Sequence, residues 1–301
     1  MVDTPQVLPI VAAEEEMPHR GQLRLFLDAL FRNKLSVIGL IIVVFMIGVA
    51  IFADVISPYD PNAQHLLTAR LQPPSAEFLL GTDQYGRDLL SRIIHGTRIS
   101  LLVGFASIAV ATLFGIMLGS IAGYSGGLID DAIMRVMDIL LAFPGLILAI
   151  GILAVLGPSV VNVIAVIAIV SIPQVARVTR SAVLTQKEEE YVQAAMVIGL
   201  RTHVTLFKHI LLNCLAPITV QATLLVAWAI LTETALSFLG LGVRPPTPTW
   251  GSILFDGKDY ILLNIWWMSL FPGLAIMITM LGLNLLGDGL SDALDPRSRE
   301  D

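Results

Sequence analysis

Few residues in this 301-residue chain are of types and spacings that do chemistry. One is Glu233, an acid closing the otherwise apolar run that begins at Leu215, with Ser237 one helical turn further on. An acid at membrane depth is by default a candidate for a transport pathway. About 18 residues at roughly 1.5 Å each nevertheless carry Glu233 close to the far boundary, where a structural hydrogen-bonding role suffices. A second concentration of polar groups is Leu80 to Arg92, LGTDQYGRDLLSR, where acids, arginines and turn-forming glycines precede a helical pattern. Its acids do not follow the alternating-ligand spacing of a calcium loop, so no metal site is read there. The five histidines (His19, His65, His95, His203 and His209) are scattered without ligand spacing, and His203 and His209 read as solvated or packing residues. Only one Gly-Lys pair occurs, Gly257-Lys258, and Asp259 follows it, so no phosphate-binding loop is present. Neither a nucleophile elbow nor a zinc-protease signature is found. An enzyme reading has no residues to carry it.

The elements that hold these residues are dictated by composition. With 55% hydrophobic and 14% charged residues, and a mean hydropathy of +0.81, the chain lies far from the soluble mix of about a quarter charged. It reads as an all-α, polytopic membrane protein. The net charge of −6 is spread over tails and loops and indicates no nucleic-acid partner. A single cysteine, Cys214, excludes an internal disulfide and reads as a small buried residue. Residues 1–21 carry Glu14-Glu15-Glu16 and Pro5, Pro9 and Pro18, which reads as a flexible cytosolic tail and not a signal peptide. Over 22–34 a helical stripe of Leu23, Phe26, Leu27, Leu30 and Phe31 predicts an amphipathic helix lying on the membrane surface. The first membrane helix is expected at 35–56, since 35–53 is free of charge and close to the roughly 20 residues that span the hydrocarbon. The proline-punctuated segment 57–98 must then lie outside the bilayer. Five further spans are expected at about 99–122, 137–156, 160–178, 214–234 and 261–287 within a domain from 98 to 288, and a tail from 289 to 301 follows. Gly104, Gly115 and Gly119 allow close helix packing, Pro144 and Pro173 predict kinks, and Trp266-Trp267 mark an interfacial belt.

The long polar interruption of the second half is Thr185 to Asn213. Thr185 with Glu188 has capping-box spacing, and Glu188, Glu189 and Glu190 suit a first helical turn, so a helix is predicted over 186–199, closed by Gly199. Thr202 is expected to cap a second arm. On the first arm Tyr191, Ala194, Ala195 and Ile198 share a face by spacing, and its two alanines allow another surface to approach.

Glu190-Tyr191-Val192-Gln193-Ala194-Ala195, then Gly199, then His209-Ile210-Leu211-Leu212-Asn213 resembles the "EAA" loop of ABC-importer permeases, with Leu212 where that family usually has proline. Gly81-Thr82-Asp83 with Gly86-Arg87-Asp88 is similar to a segment of the dipeptide/oligopeptide branch. So are Leu236 to Val243, Pro245 to Gly251 and Gly287 to Arg297. The resemblance covers nearly the whole chain from about Gln22. It implies the second, "C"-type, permease subunit of a binding-protein-dependent importer, with six transmembrane helices in the type I permease fold. It further implies a coupling helix, carried by Glu190, Tyr191, Ala194, Ala195 and Gly199, that docks on a cytosolic ATPase. The implied partners are a sister permease, two ATPase subunits and an extracytoplasmic binding protein. ATP and Mg would be bound by the ATPases, leaving this chain without a cofactor of its own. The implied location is the bacterial inner membrane. Twelve of the 18 Lys and Arg fall on the side of the tails and the elbow, so the positive-inside rule predicts that both termini are cytosolic. A secondary transporter or channel working without ATPases is the competing class, but it commonly carries paired charges at mid-membrane. Here there are only Glu233 and Asp138, each near the end of a span. A structural scaffold is the third reading.

Overall fold

A computed structural model describes residues 30–64 and 69–294. The expected tails at 1–21 and from 295, and most of the surface helix expected at 22–34, lie outside the described residues. Within them the chain is helical, with one isolated antiparallel bridge between Thr82 and Asp88. Among the described residues five helices are long and apolar enough to cross a membrane, and a bent pair makes a sixth if its two halves count as one span.

Helix α1 (Lys34–Ile51) starts at Asn33, whose side chain accepts from the Leu35 amide at 3.0 Å. Its buried stripe of Ser36, Gly39, Val43, Met46 and Ala50 follows three- and four-residue spacing and packs on the last helix. A one-turn helix α2 (Ala53–Ile56) ends the crossing. Helix α3 (Leu89–Ser125) runs 37 residues and begins ten residues before the span expected at 99. At about 1.5 Å per residue it is longer than the roughly 30 Å hydrocarbon layer. Its extra turns are anchored in the preceding polar segment.

The principal crossing joins α3 to α6 (Val160–Lys187). Gly115, Gly119 and Gly123 recur every four residues on α3 and face Val175, Ala176, Thr179, Arg180 and Val183, where any side chain would collide. Small residues at this spacing let membrane helices approach to backbone contact, where dispersion and weak hydrogen bonds replace the hydrophobic force that lipid cannot supply. Gly104 does the same against Ile230.

The span expected at 137–156 is not one straight helix. It takes in the end of α4 (Gly127–Leu141) and the whole of α5 (Gly145–Leu156), a pair bent by 88°. Pro144, which has no amide hydrogen to continue α4, occupies the N-cap of α5. The angle is held from outside: Arg180 makes two 2.5 Å contacts with Asp130, and Arg177 reaches Asp138 at 2.6 Å, clamping α4 to α6.

After α6 come the short α7 (Glu190–Val197), α8 (Thr202–Val204), a π turn over Thr205–Ile210 and α9 (Leu211–Phe238). The last three run on as one 37-residue element, longer at both ends than the expected 214–234. Helix α10 (Trp250–Gly257) is capped reciprocally by Thr249 and Ser252, and a 3-10 turn over Lys258–Leu263 leads to α11 (Trp267–Leu294). The expected belt divides: Trp266 is exposed, whereas Trp267 is buried and donates its indole N–H to the Thr82 carbonyl at 3.2 Å. The candidate site residues therefore lie toward the two ends of the bundle, those of α7 at one and those of the Gly81–Asp88 segment, with α10, at the other.

Candidate functional site

At the elbow end, α6 continues through Lys187, so the Thr185–Glu188 capping box does not form. Thr185 Oγ1 donates instead to the Ser181 carbonyl at 3.1 Å. The helix expected over 186–199 is consequently shorter, starting from Glu189 at its N-cap. Its end is as expected. Gly199 takes φ +78°, and the Leu200 amide reaches back to the Ala195 carbonyl at 3.1 Å, the reversal that glycine permits at least cost. Thr202 does not cap the second arm; Arg201 holds that position without a side-chain bond.

The face expected to carry Tyr191, Ala194, Ala195 and Ile198 is divided. Val192 and Ala195, three residues apart, are buried, and Val192 joins Leu206 and Ile210 of the π turn in the protein's own core. The side turned away carries Glu190, Gln193, Ala194 and Val197, with Val197 87% exposed and Ile198 76% exposed. Covering the π turn takes the Val192–Ala195 side of so short a helix, which leaves the opposite side for anything outside the chain. Tyr191 lies between the two. Its Oη is 2.6 Å from Gln186 Oε1 and 3.2 Å from the His209 carbonyl, and it accepts from Asn213 Nδ2 at 2.8 Å. Sequence spacing gave Gln186 and Asn213 no role, because a contact between residues 22 apart around a turn has no periodic signature.

At the opposite end the Gly81–Asp88 segment is a knot of buried polar groups. Thr82 Oγ1 donates to the Ala69 carbonyl at 2.5 Å and accepts from the Gln72 amide at 2.8 Å. Gly81 takes φ +82°, and a Cβ there would lie 2.6 Å from the Gln72 carbonyl and 2.9 Å from the Trp267 ring. Gly86, at φ +75°, closes the turn that lets Asp83 Oδ1 accept from the amides of Tyr85 (2.8 Å) and Arg87 (3.0 Å). Asp88 caps α3, accepting from the Ser91 amide at 2.8 Å and the Ser91 hydroxyl at 2.6 Å.

Charges here are buried in balance. Asp83 Oδ2 lies 2.6 Å from Arg87 Nε and 3.4 Å from Arg92 Nε, and Asp256 Oδ2 lies 3.4 Å and 3.9 Å from the same two guanidiniums. Two cations thus share two anions, which suits a region from which water is largely excluded. Burial pushes the Asp256 carboxyl above its ordinary range, against the pull of Arg92. A cavity of about 320 Å³ opens beside the cluster, lined among others by Tyr85, Arg87, Arg92, Phe255 and Asp256. Asp256 has no signal in the sequence, and Arg92 and Trp267, which stand there in a polar segment and an interfacial belt, are not paired with this cluster by any spacing: Arg87 and Asp256 are 169 positions apart.

Glu233 is not at a wet boundary. It is fully buried, because α10 folds back over the end of α9. Ser237 Oγ donates to Oε1 at 2.7 Å and Ser100 Oγ to Oε2 at 3.2 Å, while Ser100 accepts from the Trp250 amide at 3.4 Å. The carboxylate thereby joins α3, α9 and α10. Among the described residues no group of three His, Cys, Asp or Glu is arranged to hold a metal ion.

Comparison with known proteins agrees along the chain. Residues 115–300 match the binding-protein-dependent transport system inner membrane component family, and residues 21–74 match the N-terminal TM domain of oligopeptide transport permease C. The di/tripeptide transport system permease protein DppC of Pseudomonas aeruginosa is 46% identical over 95% of this chain and 96% of its own length. The dipeptide transport system permease proteins DppC of Alkalihalophilus pseudofirmus and Escherichia coli are 48% and 47% identical, each over 89% of this chain and over 88% and 91% of their own lengths. With relatives of this identity aligned from end to end, and a family model covering more than half of its residues, the chain belongs to the inner membrane components of binding-protein-dependent transport systems, as the C-type permease of a peptide ABC importer.

Proposed function

We propose that this permease carries dipeptides and tripeptides inward across a bacterial inner membrane. In this reading it forms the pathway with a sister permease, receives substrate from an extracytoplasmic binding protein and is driven by two ATPase subunits. Those subunits bind ATP and Mg; this chain contributes no cofactor. Both termini and the elbow face the cytosol, in keeping with the twelve Lys and Arg on that side. The observation that carries the reading is α7: a helix of eight residues set off between two crossings, its inner side committed to its own chain and its outer side uncommitted. Val197, Ile198 and the small Ala194 give that side an apolar surface with little relief, able to settle in a groove of another protein.

Mechanically, ATP-driven closure of the ATPases displaces α7. Because α6 and α9 flank the elbow, the displacement tilts both and exchanges an outward-open pathway for an inward-open one. Glu233 and the Asp83–Arg87–Arg92–Asp256 cluster keep the far ends of α3, α9 and α10 together as the helices tilt.

The test is purification in mild detergent with the ATPase subunits co-expressed. Wild type is expected to retain them in a fixed ratio, and Val197→Asp, which places a charge on the exposed side, to lose them while inserting normally. Retention of the ATPases by Val197→Asp would count against docking through α7. Uptake of labelled dipeptides by cells, competed with longer peptides, tests the substrate class.

A further inference from the structure

We infer that Tyr191, Gln186 and Asn213 form a single-proton latch that couples α7 alternately to α6 and to α9, and that this latch carries the stroke of the elbow to the far end of the bundle. The inference rests on the coupling role proposed above and adds the groups through which it acts.

A tyrosine hydroxyl has one hydrogen to donate. Two acceptors stand within reach of Tyr191 Oη, the side-chain oxygen of Gln186 at 2.6 Å and the main-chain carbonyl of His209 at 3.2 Å. It can satisfy only one of them well at a time, and in this structure the shorter bond is to Gln186, near the end of α6. Asn213 Nδ2 keeps the second choice open. It donates both to Tyr191 Oη at 2.8 Å and to the His209 carbonyl at 2.9 Å, so that carbonyl remains bonded while Tyr191 turns to Gln186. A short rotation of the ring, with Asn213 as pivot, moves the proton's acceptor from α6 to the base of α9.

The backbone at that base is suited to such a shift. Thr205–Ile210 is a π turn, with the Leu211 amide bonded to the Leu206 carbonyl five residues back. Such turns carry a residue more than α-helical winding allows and are frequent at functional sites. Below the latch, Val192 shares the buried core with Leu206 and Ile210 of the π turn, so α7 stays seated while the hydroxyl selects its partner. Coupling over the length of a crossing requires an element with two discrete arrangements. Two acceptors competing for one proton provide it.

The whole transporter, with its ATPase subunits bound, carries spin-label pairs introduced at exposed positions. One pair, at Leu200, one residue past Gly199 at the end of α7, and at Leu128, reports α7; the other, at Leu239 and Val55, reports the far end of α9. Cys214 is fully buried and is left in place. Distances are measured without nucleotide and after trapping with ATP and vanadate. In wild type both pairs are expected to shift. Tyr191→Phe removes the proton but keeps the ring, so the α7 pair is expected to shift as before while the far-end shift is lost. Asn213→Ala is expected to lose it too, and the double variant to lose no more than either alone. If Tyr191→Phe shifts at both pairs as wild type does, the latch is overturned. If it shifts at neither, Tyr191 serves ATPase docking and the latch is equally overturned. Absence of any shift in wild type would instead overturn the coupling role itself.

Discussion

The two ends of this bundle solve opposite problems. At the Gly81–Asp88 end, charged groups are buried and paired within the chain: Arg87 is 6% exposed, Arg92 3% and Asp83 1%. At the elbow end, large apolar groups are left outside: Val197, Ile198, Phe207 and Leu212 are each more than half exposed. A buried charge must find its counter-charge inside the fold, whereas an apolar surface can wait for a partner. The first region is therefore closed on itself and the second is open. Both are runs of polar sequence between crossings, so polarity alone does not tell a self-contained knot from a segment with an open apolar side.

The contrast is broken most severely at Asp83. Asp83→Ala leaves Arg87 and Arg92 to share Asp256 alone, and removing one partner of a buried ionic group costs about 3–5 kcal/mol. Little folded protein is expected in the membrane, with a marked fall in the thermal midpoint of what is recovered in detergent. A midpoint within a degree or two of wild type would show that the cluster does not hold this end together. Glu233 gives a smaller effect of the same kind. Glu233→Ala strands the Ser100 and Ser237 hydroxyls, at about 1–3 kcal/mol for each buried donor left unbonded. Glu233→Gln keeps an acceptor oxygen and should cost clearly less. Equal midpoints for the two variants would mean that the hydrogen bonds to Glu233 contribute nothing.

At the elbow, adjacent alanines separate the two kinds of surface. Ala195→Leu adds volume on the buried side and is expected to destabilise by about 1–3 kcal/mol. Ala194→Arg lies on the exposed side, where substitutions stay within about 0.5 kcal/mol, yet it should release the ATPase subunits. Thermal midpoint and co-purification are thus expected to move independently. If Ala194→Arg lowered the midpoint and Ala195→Leu did not, the assignment of the two sides of α7 would be reversed.

How much of this the sequence discloses depends on the range of each interaction. Gly115 and Gly119 are legible as a packing seam because their spacing is local, and Gly199 as a helix end because its backbone conformation is local. Pro144 is legible as a break but not as an 88° bend, since the angle is set by Asp130–Arg180 and Asp138–Arg177 from another helix. Capping-box spacing at Thr185 misleads because α6, held against α3 by Val183 and Gly123, does not end there. Which side of α7 is free depends on where Leu206 and Ile210 come to lie, and that is tertiary. Gly81, Thr82, Asp83, Gly86, Arg87 and Asp88 stand out by composition, but of their partners only Gln72 is near, ten positions away, while Asp256 and Trp267 come from two distant stretches.

The smallest effect at the closed end is expected at Asp256. Asp256 accepts two guanidiniums at long range, 3.4 Å and 3.9 Å, and burial outweighs them, so its carboxyl titrates above its unfolded value. A carboxyl raised in the folded state favours folding while both states are protonated. That increment is present below the ordinary carboxylate range, about pH 4, and is lost as the pH rises through the folded value. At neutral pH, Asp256 is therefore a charge the fold tolerates, not one it gains from, unlike Asp83 with its 2.6 Å contact and two amide donors. Asp256→Asn keeps the shape and removes the charge. Its thermal midpoint relative to wild type is expected to be most favourable at neutral pH and to lose that advantage toward pH 4. A variant that is instead least stable at neutral pH would show that Arg87 and Arg92 depend on both acids, and the two aspartates would then be equal members of the cluster.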